Sequence, residues 1–223
     1  MPVDARSGPI GPDRGNLPAA TMALTAMKGL ILCALIAIGL TTPAFAGLAE
    51  GLAAYDRGDY ATAFRELSPA AASGAPVAQY NLARMYFSGE GVARDDAQGL
   101  KWLRQAAAAG IGLAQYQLGA FHEFGIDLPQ DYGAAARWYH MAADRGVPVA
   151  QYRLGLLYIN GFGVARDLVA AHMWLNLAVS RLPPGEIRNA VARLRESVAA
   201  NMTSTQIAAA QTAARKWTPT GGP

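Results

Sequence analysis

The chain has 223 residues, enough for one or two domains, and 52% of them are hydrophobic while 16% are charged. This balance supports a packed core, and the many alanines favour helices because alanine has the highest intrinsic helix propensity. The formal net charge is only +3, with three lysines and scattered arginines. No basic stripe is available to follow a phosphate backbone, so we predict no nucleic-acid partner.

Residues 1–26 precede the part of the chain that we expect to fold. They are rich in proline and glycine and have no hydrophobic periodicity. We interpret them as either a disordered leader or a mis-assigned start, with Met22 or Met27 as the true first residue. In neither case do they contribute to the fold.

Residues 27–46 have the layout of a secretory signal peptide. Lys28 is followed by the apolar run GLILCALIAIGL, and the segment ends on the small-x-small sequence AFA. A membrane-spanning helix needs about 20 apolar residues, which makes a permanent anchor the weaker interpretation. We therefore expect cleavage near Ala46 and a periplasmic or secreted protein with no stable membrane span. Because Cys33 would leave with the signal, the mature chain would have no disulfide and would be held together by packing.

The first expected hairpin, residues 47–77, is shorter than those that follow. Its loop is reduced to RGD, while Leu67 and Gly74 lie 36 residues before Leu103 and Gly110. We interpret this hairpin as the N-terminal cap of a repeat array.

Three consecutive segments then repeat at a period of 36 residues without insertion or deletion. They begin AQYNLARMYFSGEGVARD, AQYQLGAFHEFGIDLPQD and AQYRLGLLYINGFGVARD. We define repeat 1 as residues 78–113, repeat 2 as residues 114–149 and repeat 3 as residues 150–182. A fixed period in this range indicates a solenoid.

Each repeat is predicted to be a helical hairpin. In repeat 1, Ala78, Leu82 and Met85 follow the spacing that gathers side chains on one helix face. Gly89 permits the positive φ that often follows a helix end, and the Asp95 carboxylate can accept from free amides where the second helix starts. The same roles fall to Gly125, Gly161, Asp131 and Asp167. Because one hairpin cannot bury both of its apolar faces, the hairpins are expected to stack.

Repeat 2 departs from its neighbours in the loop between the helices. Asp127 replaces the loop glycine, and His122 stands where Tyr86 and Tyr158 stand in the other repeats. We therefore expect a distorted loop in repeat 2.

Residues 183–217 are predicted to form two capping helices. Thr203 and Gln206 have the spacing of a capping box at the start of the second, and residues 218–223 are expected to be a tail. The spacing places four apolar residues on one face of the first helix: Ile187, Val191, Leu194 and Val198.

The pattern A-x-x-x-L-G-x-x-Y-x-x-G-x-G-V-x-x-D, followed by A-x-x-W and A-A, resembles that of the Sel-one-like repeat family over residues 78–182. These proteins are relatives of the tetratricopeptide repeats with a longer loop, and the hairpin at 47–77 is closer to an ordinary tetratricopeptide hairpin. The resemblance implies an all-α, right-handed solenoid of stacked hairpins with a C-terminal helical cap. It also implies a non-catalytic scaffold whose partner is a protein or peptide.

No motif predicts catalysis. The mature chain has no Ser-x-x-Lys, no Gly-x-Ser-x-Gly and no phosphate-binding loop followed by Lys-Ser/Thr. His122, His140 and His172 lie 18 and 32 residues apart, so they form no zinc-binding pair at helical spacing. We predict no catalytic residue, no metal and no cofactor. A secreted hydrolase or β-lactam-binding protein of the same family remains an alternative.

The second helix of each repeat carries one tryptophan, Trp102, Trp138 or Trp174. We interpret them as packing between repeats, because large side chains that recur at the repeat period build repeat cores. A row of sugar-binding tryptophans would instead indicate a structural protein that binds cell-wall glycan, which is a further alternative.

In tetratricopeptide relatives, positions on the first helix of each hairpin line a concave groove. A mixture of aromatic and aliphatic side chains with one Arg and one Glu would suit an extended peptide or helix. Packing of the tyrosines on the adjacent repeat is the alternative, and the sequence favours neither. Carried over through Leu82, Leu118 and Leu154, the groove residues are Tyr80, Arg84, Phe87, Tyr116, Glu123, Phe124, Tyr152, Leu156 and Ile159.

Overall fold

A computed structural model describes residues 43–220, which form ten α-helices and no β-strand. The predicted leader, and the signal peptide up to residue 42, lie outside the described residues. The first helix includes the expected cleavage point near Ala46. In chain order the helices are α1 (Pro43–Asp56), α2 (Tyr60–Ala72), α3 (Pro76–Ser88), α4 (Asp96–Ala108), α5 (Gly112–Phe124), α6 (Tyr132–Asp144), α7 (Pro148–Asn160), α8 (Leu168–Arg181), α9 (Glu186–Ala199) and α10 (Ser204–Lys216).

The helices pack as consecutive hairpins, which confirms the all-α solenoid architecture. Helix α3 pairs with α4, α5 with α6 and α7 with α8, and each hairpin stacks on the next through its neighbouring helices. The first helices, α3, α5 and α7, therefore occur once per repeat, and residues 36 positions apart occupy equivalent places.

The predicted helix caps are confirmed. The Oδ1 atoms of Asp95 and Asp131 accept from the backbone amides of Gln98 and Ala134 at 3.0 and 2.9 Å. Asp167 accepts from two amides in the same way. Gly89, Gly125 and Gly161 follow the first helices with φ of 75°, 68° and 72°.

The expected distortion of the loop in repeat 2 is wrong. Asp127 adopts a φ of 54°, close to the 73° and 69° of Gly91 and Gly163. The Asp131 amide donates to the His122 carbonyl at 2.9 Å, as the equivalent groups do at 3.0 Å in repeats 1 and 3. The loop keeps its shape because aspartate is among the few residues that enter the left-handed region at modest cost.

Three buried glutamines link each repeat to the preceding hairpin. The side-chain Nε2 atoms of Gln79, Gln115 and Gln151 donate at 3.0–3.2 Å to backbone carbonyls eight residues earlier. Those carbonyls belong to the ends of α2, α4 and α6. Each bond ties the first helix of one hairpin to the second helix of the one before, with a net contribution of about 1 kcal/mol.

The tryptophans pack between repeats, as predicted. Trp138 of repeat 2 contacts the buried cluster that includes Leu103 and Leu118, and Trp174 of repeat 3 joins the cluster around Tyr139. Trp174 is only 3% exposed, whereas Trp102 and Trp138 are half-buried. We therefore expect Trp174 to contribute most to stability.

The C-terminal cap consists of two helices, α9 and α10, within the range predicted for it. Val191 and Val198 are buried, but Ile187 is 68% exposed because it lies in the first turn of α9, ahead of the part that packs on α8. The predicted apolar face is therefore buried at Val191 and Val198 but not at Ile187. The Thr203–Gln206 capping box is confirmed.

Helix α10 packs on α8, and the chain after it is held in place. The Trp217 ring lies 6.2 Å from the Trp174 ring, and the Thr220 amide donates to the Asp144 carbonyl at 2.7 Å. Residues 218–220 are therefore a strap bound to the end of α6. The predicted tail thus has no regular structure at residues 218–220 but contacts the fold there, while residues 221–223 lie outside the described part.

Candidate partner-binding face

The predicted groove residues all lie on the first helices of the three repeats. We call the surface they form the inner face. Arg84 and Phe124 are exposed, and the other predicted residues are half-buried. The inner face is thus accessible on all three helices, but its chemistry changes from one repeat to the next.

In repeat 1 the inner face presents an arginine between two tyrosines. The Arg84 guanidinium lies 4.8 Å from the centre of the Tyr55 ring and 5.9 Å from that of Tyr80. Among residues 43–220, no carboxylate oxygen lies within 4.0 Å of it. Burial raises the pKa of Tyr80, and the nearby Arg84 charge partly opposes this shift. The tyrosine faces hold the cation without neutralising it.

A hollow of about 320 Å³ opens beside Arg84. Phe87 and Glu90 line it from repeat 1, Tyr55 from α1 and Gln117 from repeat 2. The hollow therefore lies between neighbouring hairpins and offers the Arg84 guanidinium, the Glu90 carboxylate, an amide and aromatic edges to an incoming group.

Phe87 is largely a packing residue. A Cβ on Gly99 of α4 would lie 2.7 Å from its ring, so the ring fills the space above that glycine. The Phe87 ring also meets Phe121 of repeat 2 at 5.4 Å, edge to face. Phe87 thus joins two repeats and shows only part of its surface to a partner.

In repeat 2 a buried tyrosine replaces a core leucine. Tyr139 occupies the position of Leu103 and Leu175 and is fully buried. Its ring lies against Gly119, where a Cβ would come within 2.6 Å, and stacks on Tyr116 at 5.8 Å. The tyrosine is accommodated because α5 has no side chain at residue 119.

The Tyr139 hydroxyl reaches the inner face and donates to Glu123 Oε2 at 2.5 Å. The second oxygen, Oε1, lies 3.6 Å from Nη1 of Arg153 on α7. We call Tyr139, Glu123 and Arg153 the Glu123 network. Burial, followed by the hydrogen bond to Glu123 and its negative charge, raises the pKa of Tyr139 far above its usual value, so the hydroxyl stays protonated.

Phe124 provides the most exposed aromatic surface of the predicted residues. Its side chain is 51% exposed, and the Arg153 guanidinium lies 5.1 Å from its ring centre. Arg153 also lies 6.0 Å from the Tyr152 ring. One arginine therefore bridges an exposed phenylalanine of repeat 2 and a tyrosine of repeat 3.

The inner face of repeat 3 is turned toward the C-terminal cap. Tyr152 and Ile159 pack against the buried cluster that contains Leu175 and Val191. Packing on the adjacent element, the alternative interpretation of the tyrosines, thus applies to Tyr152, and also to Tyr80 and Tyr116, which pack against buried clusters that extend into the repeat that follows each. Leu156 is half-buried.

Sequence reasoning missed Tyr55 and Arg153. Tyr55 lies on α1, outside the three repeats, so aligning the repeats with one another could not reveal its role. Arg153 had a signal, because Asn81 and Gln117 occupy its position in the other repeats. Repeat 3 therefore has a positively charged side chain at the one place where Glu123 of repeat 2 faces it.

The histidines are not brought together. His140 Nδ1 lies 2.9 Å from the Asp144 carboxylate. Burial and the nearby Arg195 charge lower the pKa of His172. No group of three metal-ligating side chains occurs among residues 43–220. In the same range, no helix has the length and apolar character needed to cross a bilayer.

Comparison with known proteins identifies the repeats. A family model described as the Sel1 repeat matches residues 76–111, 112–147 and 148–181, each match beginning two residues before the repeat defined above. The crystal structure of a Sel1 repeat protein from Oxalobacter formigenes aligns with a TM-score of 0.55 at 37% identity, covering 60% of this chain and 97% of that one.

A second solved structure is a protective antigen present in uropathogenic Escherichia coli strains, which displays an SLR fold. It aligns with a TM-score of 0.54 at 25% identity and covers 78% of this chain. The present chain spans 45% of the antigen's length. No curated protein sequence matches the chain.

Proposed function

Since the chain belongs to the Sel1 repeat family, whose members are generally protein-interaction scaffolds, we propose that it is an exported, non-catalytic scaffold. Its ligand is an extended segment of a protein partner that carries a carboxylate and lies along the inner face. The observation that carries this proposal is that Arg84 lies between Tyr55 and Tyr80 with no carboxylate partner among residues 43–220.

The charge pattern of the inner face supports an acidic ligand. Arg153 is paired with Glu123, whereas Arg84 has no carboxylate partner among the described residues. A guanidinium binds a carboxylate through two parallel hydrogen bonds, and a pre-positioned arginine loses little entropy on binding. The hollow beside Arg84 can hold such a side chain, and the Gln117 amide is placed to contact the partner's backbone.

Phe124 supports an apolar anchor at the other end of the segment. Large exposed apolar side chains on a folded surface commonly mark a contact. Phe124 is half-exposed and is held by Arg153, so its ring can be covered without first being ordered. An extended segment across α3 and α5 would then reach both the acid-binding and the apolar positions.

Export is supported by the sequence layout of residues 27–46 and by the lack of cysteine after residue 46. N-terminal sequencing of the protein recovered from the periplasmic fraction or the medium tests it. A chain that begins near Gly47 is the expected result, and a chain that retains Met27 would contradict export by cleavage.

Selection from a random peptide library tests the binding proposal. We expect the selected peptides to be enriched in Asp or Glu, and replacement of that acid by its amide to weaken binding about tenfold, which corresponds to 1.4 kcal/mol. Arg84→Gln should cause a similar loss. Arg104→Gln is the matched control, because Arg104 is exposed, lacks an ion pair among residues 43–220 and lies on α4.

Selected peptides without acidic enrichment, or equal effects of the two arginine variants, would contradict an acidic ligand on the inner face.

A further inference from the structure

The loops of repeats 1 and 3 each sit on the hairpin before them, and at both contacts a glycine lies directly against the backbone of that hairpin. A Cβ on Gly91 would collide with the backbone carbonyl of Tyr60, the first residue of α2. A Cβ on Gly163 would collide in the same way with the carbonyl of Tyr132, the first residue of α6. Each hairpin has two helices, and the loop docks on the first turn of the second one. We call this first turn the loop seat.

Two side chains accompany the glycine into the seat. Val92 and Val164, the residues after the two glycines, pack against the buried clusters of the hairpins they join. Phe162, just before Gly163, lies 4.9 Å from the Tyr132 ring. A docked loop is therefore recognised by a left-handed glycine, a following valine and, in repeat 3, an aromatic side chain.

The seat on repeat 3 is open. Tyr132 and Gly133, which receive Gly163, correspond in register to Leu168 and Val169 of α8. No Gly-x-Gly-Val loop follows repeat 3 in the sequence. A cavity of about 610 Å³ lies at this place, lined by Leu168, Val169 and their neighbours.

Other elements wall the cavity without filling it. Tyr158 and Val164 approach from repeat 3, and Gln206 in the first turn of α10 forms the far side. Leu168 packs on one side against the cluster that contains Val191 and Val198 of the C-terminal cap, while the cavity beside it stays open.

We propose that this seat binds a Gly-x-Gly-Val turn from another polypeptide, which would dock as Gly163 docks on Tyr132. The occupant is a partner that carries such a loop rather than a second copy of this chain. In a second copy, Gly91 and Gly163 already lie against Tyr60 and Tyr132. The loop of repeat 2 has Asp127 and Leu128 in place of the glycine and the valine, so it lacks both residues by which the other loops are recognised.

A cyclic peptide that copies the loop of repeat 3 is a suitable probe. The Asp167 amide donates to the Tyr158 carbonyl at 3.0 Å, so the ends of residues 158–167 are close. Cysteines at the two end positions, joined by a disulfide, would hold the ring in the docked shape and reduce the ordering entropy. The control is the same ring with alanine at the position of Gly163.

Fluorescence anisotropy with the full chain measures the binding. We expect saturable binding with a Kd below about 1 mM, and at least about tenfold weaker binding of the alanine ring. Leu168→Tyr should strengthen binding of the glycine ring about threefold or more, because it restores the aromatic partner of Phe162. A gain of this kind cannot arise from misfolding.

The proposal is overturned by no binding at about 1 mM, by equal affinity of the two rings, or by an unchanged affinity for the Leu168→Tyr chain. Arg84→Gln should leave binding of the ring unchanged, which separates this site from the inner face. If Arg84→Gln weakens binding of the cyclic peptide, the peptide binds at the inner face, and this result would also overturn the proposal.

Discussion

The inner face uses two arginines in opposite ways. Arg84 in repeat 1 lies between tyrosine rings with no carboxylate partner within residues 43–220, while Arg153 in repeat 3 is held by Glu123 of repeat 2. The two arginines lie on equivalent helices, α3 and α7, but at different positions of the repeat, since Leu156 is the equivalent of Arg84 and Asn81 that of Arg153. The repeats therefore share one backbone arrangement, and individual side chains decide whether an arginine forms an ion pair within the fold or remains available to a partner.

The Glu123 network arises from replacements at equivalent positions. In repeat 2, Tyr139 replaces the Leu103 of repeat 1, Gly119 replaces Ala83 and Glu123 replaces Phe87. The larger ring requires the smaller residue, and its hydroxyl requires an acceptor. Repeat 1 has none of these groups, and its Leu103 packs against the Cβ of Ala83 in an apolar core.

The largest expected effect follows from breaking the network. Glu123→Ala leaves the Tyr139 hydroxyl without its acceptor and Arg153 without its partner, so we expect a loss of about 3 kcal/mol in the free energy of unfolding. Arg84→Ala should change it by less than about 0.5 kcal/mol, as is usual at exposed positions. Denaturant unfolding of both variants measures the contrast, and similar losses would remove the distinction between the two arginines.

A smaller effect is expected at Gly119. Alanine there would place a Cβ 2.6 Å from the Tyr139 ring, and such overpacking typically costs about 2 kcal/mol. In a Tyr139→Leu background the same change should be nearly neutral, because the pair then matches Ala83 and Leu103. If thermal or denaturant unfolding shows the same loss in both backgrounds, the ring is not the cause.

The raised pKa of Tyr139 predicts a smaller, pH-dependent effect. Below pH 10 the hydroxyl is protonated in the folded and unfolded chains, so its contribution to stability is complete. Above pH 10 the unfolded chain releases the proton first, and stability falls by up to about 1.4 kcal/mol per pH unit. Tyr139→Phe should reduce this slope, measured by denaturant unfolding between pH 9 and about pH 11. If the slope is the same in Tyr139→Phe, groups other than Tyr139 cause the loss of stability at high pH.

The period of 36 residues was enough to predict the hairpins, their order and their caps. Asp95 and Gly89 act locally, so their roles follow from neighbours in the sequence. The exposed Ile187 shows the limit of this approach, because periodicity gives a helix face but not where along the helix the contact ends.

The contacts that distinguish the inner face could not be predicted as readily. Arg84 was predicted as a groove residue, but its contact with the Tyr55 ring was not, because Tyr55 lies on a helix outside the three repeats. The glutamine contacts were visible as an invariant position, Gln79, Gln115 and Gln151, yet their acceptors are known only once the hairpins are stacked. Side-chain pairs between repeats depend on that stacking, which the sequence does not specify residue by residue.

The most direct test of the account compares one acidic peptide, selected on the inner face, with the Arg84→Gln and Arg153→Gln variants by calorimetric titration. The account predicts at least about a tenfold loss of affinity for Arg84→Gln and a clearly smaller loss, about threefold at most, for Arg153→Gln, which acts only by holding the Phe124 ring. An equal or larger loss for Arg153→Gln would show that the paired arginine is the binding one, and would contradict the account.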